Sequence, residues 1–434
     1  MVDTLVQGPA QTALPLLAAT PSRDLAAGAD KQTADDLALF GGTPVFAQPR
    51  STSNLVPPDP DVFLAYSREF FDQKRYTNDG PLVRRLETRL AAFHDTRYCI
   101  AFSSGFWALV MAMKCLARPG ANEVVMPSLT YRRMADVAAW AGLVPHFCEV
   151  DPRTLAVSAD TARPCVSDKT ALLLGVHPII NACDVDGLVA LGQEHDIPVL
   201  FDAVESMYES VGGRKVGSFG AAEAFSLHAS KLVNGFEGGY ITTRDENLAA
   251  RLVRMRAFGF YGQDNIEALG MNAKLNEIHA AMALAGLDGL EDQVVRNRRR
   301  YRQYQALLAN LPGVRLVTFN EQERCSFKNI LVDVGGGWPY SRDDTVALLN
   351  AEGILARAYY APPLHRRTYA FPTRGHTLPV SDRLAQRFLL LPCGHFVDDE
   401  DTVRIVGFLR FLQENARDVR DRLLVREPPG SGRP

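Results

Sequence analysis

The chain has 434 residues, 47% of them apolar and 22% charged, and a formal charge of −3 from 47 basic and 50 acidic side chains. That length predicts a large domain with a smaller companion rather than a single core. The near-balanced charge gives no basic field for nucleic acid, and no run of about 18 apolar residues is present to span a bilayer.

Residues 1–40, rich in Ala, Thr, Asp and Pro without a sustained period, read as a flexible N-terminal tail with no secretory leader. Seven short apolar runs then read as strands: Tyr98 to Phe102, Glu123 to Met126, Val144 to Val150, Ala171 to Val176, Pro198 to Phe201, Ala222 to Leu227 and Gly239 to Thr242. Helical spacing falls between several of them, over Phe106 to Leu116, Arg133 to Ala141 and Val185 to His195, the last capped by Asp184. Such alternation predicts an α/β fold, with a mostly parallel, doubly wound sheet in a large domain over residues 41–290. From there the texture changes. A long charged helix is expected from Leu287 to Leu311, strands near Phe327 to Val334 and Ala356 to Tyr360, and helices over Arg342 to Glu352 and Asp401 to Asn415. That pattern predicts a small α+β domain over 291–415, followed by a C-terminal tail over 416–434. The seven cysteines are scattered and form no CxxC pair, which fits free thiols in a reducing cytoplasm and no zinc site.

Four stretches could carry chemistry. Asp202 follows an apolar strand, where a carboxylate either caps a turn or pairs with a cationic ligand group. Lys231 lies in a short loop between the strand ending near Leu227 and the glycine pair Gly238-Gly239. A lone lysine is ordinarily a surface charge, but one held against a buried wall loses proton affinity and can form a Schiff base. Asp202 stands 29 residues earlier, on the preceding strand, which brings both groups to one sheet edge. Phe102-Ser103-Ser104-Gly105 before a helix reads either as a simple cap or as a phosphate cradle of free amides. Tyr131 after Pro127-Ser128-Leu129-Thr130 is either core or a face for a flat heteroaromatic ring.

Taken in order, these stretches resemble the DegT/DnrJ/StrS family of pyridoxal-phosphate-dependent sugar aminotransferases, with aminotransferase fold type I and a seven-stranded sheet. The likeness runs from Gly41 to about Gln413 and includes Asn78-Asp79-Gly80-Pro81, Asp202-Ala203-Val204-Glu205-Ser206, Ser226-Leu227-His228-Ala229-Ser230-Lys231, Gly270-Met271-Asn272-Ala273-Lys274 and Tyr360-Ala361-Pro362-Pro363-Leu364-His365. The resemblance implies that Lys231 carries the cofactor as a Schiff base and shuttles a proton, while Asp202 pairs with the pyridinium nitrogen. It places Glu205 near the ring hydroxyl, Tyr131 on the ring, and Ser104, Gly105, Phe106 and Ser226 at the phosphate. Asn272 would reach the phosphate in the neighbouring subunit, which implies a homodimer with shared sites. Asn78, Tyr360 and His365 would line the substrate pocket.

The implied reaction is ping-pong transfer from L-glutamate or glutamine to a keto group. A nucleotide-linked deoxysugar in amino-sugar or antibiotic biosynthesis is the first expectation, and a keto-cyclitol the second. Relatives with histidine in place of the lysine are dehydratases, which Lys231 argues against. A non-catalytic regulator with the same fold is disfavoured by Lys231, Asp202 and Ser226 together. One departure concerns the phosphate turn. Phe106-Trp107 stands where the family has threonine and a small residue, so the phosphate must rely on backbone amides, Ser226 and Asn272.

Overall fold

The computed structural model of the chain describes residues 31–52, 57–262, 265–266 and 268–425. Two helices, α1 (Pro60–Gln73) and α2 (Pro81–Phe93), lead in, each opening on a proline. Proline suits a first helical turn because its fixed φ is helical and its missing N–H would have had no partner there. Seven strands follow: β1 (Tyr98–Phe102), β2 (Glu123–Pro127), β3 (Val144–Cys148), β4 (Thr170–Val176), β5 (Val199–Asp202), β6 (Ala222–Ser226) and β7 (Gly239–Thr243). They form one sheet in the order β1-β7-β6-β5-β4-β2-β3, and β7 alone runs opposite to the other six strands.

The strands are continuous apolar runs because both sheet faces are covered. Alternation along β1 shows it: Cys99 and Ala101 enter one core, Ile100 and Phe102 the other. The first core is closed by α2, α5 (Val185–Glu194) and α7 (Glu277–Asp288). The second is closed by α3 (Gly105–Leu116), α4 (Met134–Trp140) and α6 (Glu246–Arg256). Asp184 caps α5 as expected, accepting from the Gly187 N–H at 3.1 Å.

The helix expected from Leu287 to Leu311 is interrupted. α7 ends at Asp288 and α8 (Leu290–Leu308) begins after Gly289. The two differ in character: α7 is Ala-rich and mostly buried, whereas α8 carries the charged face. The smaller unit has a four-stranded antiparallel sheet of β8 (Arg315–Leu316), β9 (Ile330–Asp333), β10 (Arg357–Ala358) and β11 (Phe388–Leu391), in the order β8-β9-β11-β10. α8, α9 (Arg342–Ala351) and α10 (Asp399–Glu414) pack into its core.

Both chain ends depart from their assignment as tails. Ala34, Leu37, Val45 and Phe46 are buried in the core of the smaller unit. The buried Glu352 carboxylate fastens them by accepting from the Ala38 N–H at 2.7 Å, the Val45 N–H at 2.9 Å and Lys31 at 3.0 Å. Arg50–Ser51 then pairs in parallel with Ile354–Leu355. Residues 31–51 therefore belong with the smaller unit, not to a free tail or the large domain. At the other end, Ala416–Val425 forms a helix that buries Val419. The remaining tail expectations, residues 1–30 and 426–434, lie outside the described residues. No described helix is long and apolar enough to cross a membrane.

Candidate active site

β5 and β6 are parallel neighbours, so their carboxyl ends open on the same edge of the sheet. Asp202 terminates β5 and is 2% exposed. Ser226 terminates β6, and the loop beyond it carries Lys231, whose amide closes a turn onto His228 O at 2.8 Å. The loop returns through Gly238, at φ 147°, into β7. A side chain at Gly239 would put its Cβ 2.4 Å from the backbone of Gly105, and the Gly105 N–H donates to Gly238 O at 3.1 Å. Glycine is thus needed where the first turn of α3 presses against the β6–β7 junction.

The result is a cavity of about 320 Å³. One end is the N-terminus of α3, with Ser104, Gly105 and Phe106 beside Ser226. Ser104 is the N-cap and accepts from the Trp107 N–H at 3.2 Å. Helix geometry leaves the Phe106 amide without an intrahelical acceptor, so it is available to an anion. Of the two aromatic departures, only Phe106 joins the cavity wall. Trp107 turns instead to Trp140, their rings edge-on at 5.5 Å. Tyr131, 44% exposed, forms part of another wall.

Lys231, Asp202 and Glu205 converge at the other end. One oxygen of Asp202 accepts from the Val204 N–H at 3.1 Å, and the other has no hydrogen-bond donor among the described residues. Burial pushes Asp202 up to about 6 against the opposing pull of the Val204 amide, Lys231 and His177. Such a carboxylate welcomes a cationic partner, which would bring it back toward its ordinary value. Glu205 shows the reverse. Burial favours its neutral form, but the Lys231 and Lys328 ammonium groups outweigh that and hold it down at about 2. Its two oxygens divide between them: one contacts Lys231 Nζ and the other accepts from Lys328 Nζ at 2.6 Å.

A second cavity of about 620 Å³ adjoins the first, sharing Tyr131, Glu205, Ser230, Lys231 and Tyr360 as walls. It is cationic: Arg132, Arg357, Arg367 and Lys328 line it, and Glu205 is its one carboxylate among the described residues.

Lys231, Asp202, Glu205, Ser226, Ser104, Gly105, Phe106, Tyr131 and Tyr360 are therefore brought together. Three expected residues are not. His365, expected at the substrate pocket, is 5% exposed and tied to Ser128 Oγ at 2.6 Å, with Asp382 at 3.1 Å on its other nitrogen. It anchors its loop to the end of β2 rather than facing either cavity. Asn78 lines a separate cavity of about 400 Å³ with Arg256, Phe258 and Lys274. Asn272 is exposed, and its Oδ1 accepts from Lys274 Nζ at 2.6 Å outside the Lys231 cavity. Reading the sequence also missed Lys328 and the arginines of the second cavity. A lysine at the head of the apolar run Ile330-Leu331-Val332 was the available signal for the first.

A buried carboxylate, a lysine, a helix N-terminus and an aromatic wall around one small cavity fit pyridoxal phosphate: its ring nitrogen, aldehyde, phosphate and ring face, respectively. The comparisons with known proteins agree. The DegT/DnrJ/EryC1/StrS aminotransferase family matches residues 60–410. The dTDP-4-amino-4,6-dideoxy-D-glucose transaminase of Shigella dysenteriae is 28% identical over 359 residues, covering 82% of this chain and 97% of that protein. The L-glutamine:2-deoxy-scyllo-inosose aminotransferase of Micromonospora echinospora is 28% identical over 419 residues, covering 88% and 99% respectively. The crystal structure of DesI in the presence of its TDP-sugar product superposes with a TM-score of 0.84 at 34% identity, covering 90% of this chain and all of that one. The protein is thus a pyridoxal-phosphate-dependent aminotransferase of fold type I. It belongs to the DegT/DnrJ/EryC1/StrS aminotransferase family.

Proposed function

We propose that the protein transfers an amino group from L-glutamate or L-glutamine to the keto group of a nucleotide-linked deoxysugar, in the making of an amino sugar for secondary metabolism. The observation that carries the substrate class is the cationic cavity beside Lys231, where Arg132, Arg357 and Arg367 offer three positive charges to a diphosphate.

Bound pyridoxal phosphate supplies an electron sink, which permits a proton to be taken from the donor's α-carbon and one delivered to the acceptor carbon. The chain's own groups do the rest. Lys231 would hold the cofactor's aldehyde carbon and, when free, its amine would take the proton from the donor's α-carbon and return one to the acceptor carbon. Donor and acceptor would use the one pocket in turn, so the donor would leave as its 2-oxo acid, its amine kept in the site, before the keto substrate enters. Asp202 would pair with the ring nitrogen and keep its proton in place. Glu205 accepts a hydrogen bond near the ring hydroxyl, Tyr131 covers the ring face, and Ser226 with the amides at the start of α3 holds the phosphate. Asn272 would complete the phosphate site of a partner subunit in a homodimer. A cytoplasmic setting agrees with seven unpaired thiols among the described residues.

A second reading, a keto-cyclitol acceptor, draws on the likeness to the 2-deoxy-scyllo-inosose aminotransferase over 419 residues. A cyclitol carries no anion for the three arginines. The two separate in a screen of the amine-loaded protein against keto-sugar nucleotides and keto-cyclitols, read by return of the cofactor's visible band. Our reading expects the nucleotide sugars to restore the band, and restoration by cyclitols alone would overturn it.

A further inference from the structure

Glu205 holds two ammonium groups at once, and only one of them can stay. Lys231 leaves the pair when its nitrogen joins the cofactor. Lys328 has no such duty. Its side chain is 5% exposed, it stands just ahead of β9 in the smaller unit, and Glu205 is its one hydrogen-bond and ion-pair partner among the described residues. A buried ammonium is retained only where it is well paired. The other titratable groups that face Glu205 are Asp202 at the end of β5, Tyr359 and Tyr360 after β10, and Cys393 beyond β11. None of them is a cation. Arg132, Arg357 and Arg367 line the adjoining cavity but make no hydrogen bond or ion pair to Glu205 among the described residues, so with Lys231 committed Lys328 is the cation that remains in contact with it.

We propose that Lys328 is a positioning residue for the cofactor: its ammonium keeps Glu205 an oriented carboxylate at the Lys231 end of the cavity while Lys231 is bound to the cofactor. Lys328 need not touch a reacting atom. It acts through Glu205, and so links the smaller unit to the chemistry on the large sheet. The inference rests on the cofactor site and does not depend on which keto substrate is used.

The physical consequence follows from what opposes burial. Burial is the largest influence on Glu205 and favours the protonated acid, and the two lysines reverse it. Without Lys328, a holoprotein has lost one of those cations and altered the other. Glu205 then takes up a proton within the pH range where the bound chromophore is read. A protonated Glu205 donates where the carboxylate accepted, so the hydrogen bond at the cofactor changes polarity and the spectrum changes with it.

The test is an absorbance titration of holoprotein from pH 5 to 9 for the parent, Lys328→Met, Lys328→Arg, Glu205→Gln and the double variant Glu205→Gln/Lys328→Met. Lys328→Met should add a spectral step between about pH 5 and 8 that the parent and Lys328→Arg lack. That step should vanish in the double variant. A Lys328→Met titration matching the parent overturns the proposal, as does an extra step that persists without Glu205. Should Lys328→Met not fold, the decision passes to Glu205→Gln against the double variant, in which both buried charges are gone. Their titrations should coincide, and a displacement beyond about 0.5 pH unit between them means that Lys328 acts on the cofactor directly, which also overturns it.

Discussion

Replacing Asp202 by asparagine should stabilise the cofactor-free protein and weaken its hold on the cofactor. In the folded chain the Asp202 carboxyl is raised to about 6 from an ordinary 3.8, chiefly by burial. The folded state therefore binds this proton more tightly than the unfolded state. The stability that it contributes is complete below the ordinary value and is lost as pH rises from about 4 to about 6. At 1.36 kcal/mol per unit, the ionised Asp202 costs the empty protein about 3 kcal/mol at pH 7.5. At pH 5 the cost is about half of that. Asparagine is nearly the same shape, can still accept from the Val204 N–H, and carries no charge to desolvate. Urea unfolding of cofactor-stripped parent and Asp202→Asn should show the variant more stable by about 1–3 kcal/mol at pH 7.5, with a gap that shrinks toward pH 5. The same variant should bind pyridoxal phosphate at least about tenfold more weakly, because the ring nitrogen loses its counter-charge. A variant no more stable than the parent at pH 7.5, or a gap that ignores pH, would show that Asp202 is not held against its own ionisation.

Gly239→Ala places a methyl group 2.4 Å from the Gly105 backbone, which has no flexible side chain to move aside. The expected cost is about 1–3 kcal/mol by thermal or urea unfolding, together with weaker phosphate retention as the start of α3 is displaced. Shared sites make a distinct forecast: mixing inactive Lys231→Ala with Asn272→Ala protein should recover about a quarter of parental activity, since half the dimers are hybrids with one intact site. No recovery from verified hybrids, or a monomer by light scattering, would remove Asn272 from the site.

What the sequence revealed, and what it hid, divides along physical lines. β1 runs from Tyr98 to Phe102 as expected, and the other six strands of the large sheet fall within a residue or two of expectation. Buried parallel strands are legible as apolar runs bounded by turns. Asp202 and Lys231 could be put together because they follow adjacent strands, so topology alone sets their nearness. Lys328 could not, since it reaches Glu205 from another unit, 97 residues beyond Lys231. His365 looked like a pocket residue, but its burial depends on Ser128, 237 positions away. The break at Gly289 was hidden because apolar and charged helical patterns run on without interruption. The anchoring of Ala38 and Val45 by the buried Glu352 carboxylate is announced by no local pattern. Asn78 and Asn272 lie outside the Lys231 cavity, Asn78 beside Arg256 and Asn272 against Lys274, so their assigned roles came from the resemblance alone and not from any local pattern.

Borohydride reduction of the holoprotein followed by peptide mapping tests whether Lys231 is the residue that carries the cofactor. The visible band should bleach, and the reduced cofactor should be found covalently attached to the peptide containing Ser230-Lys231-Leu232. Lys231→Ala should carry no reducible adduct. Attachment at any other lysine, or a reducible adduct that survives Lys231→Ala, would contradict that role.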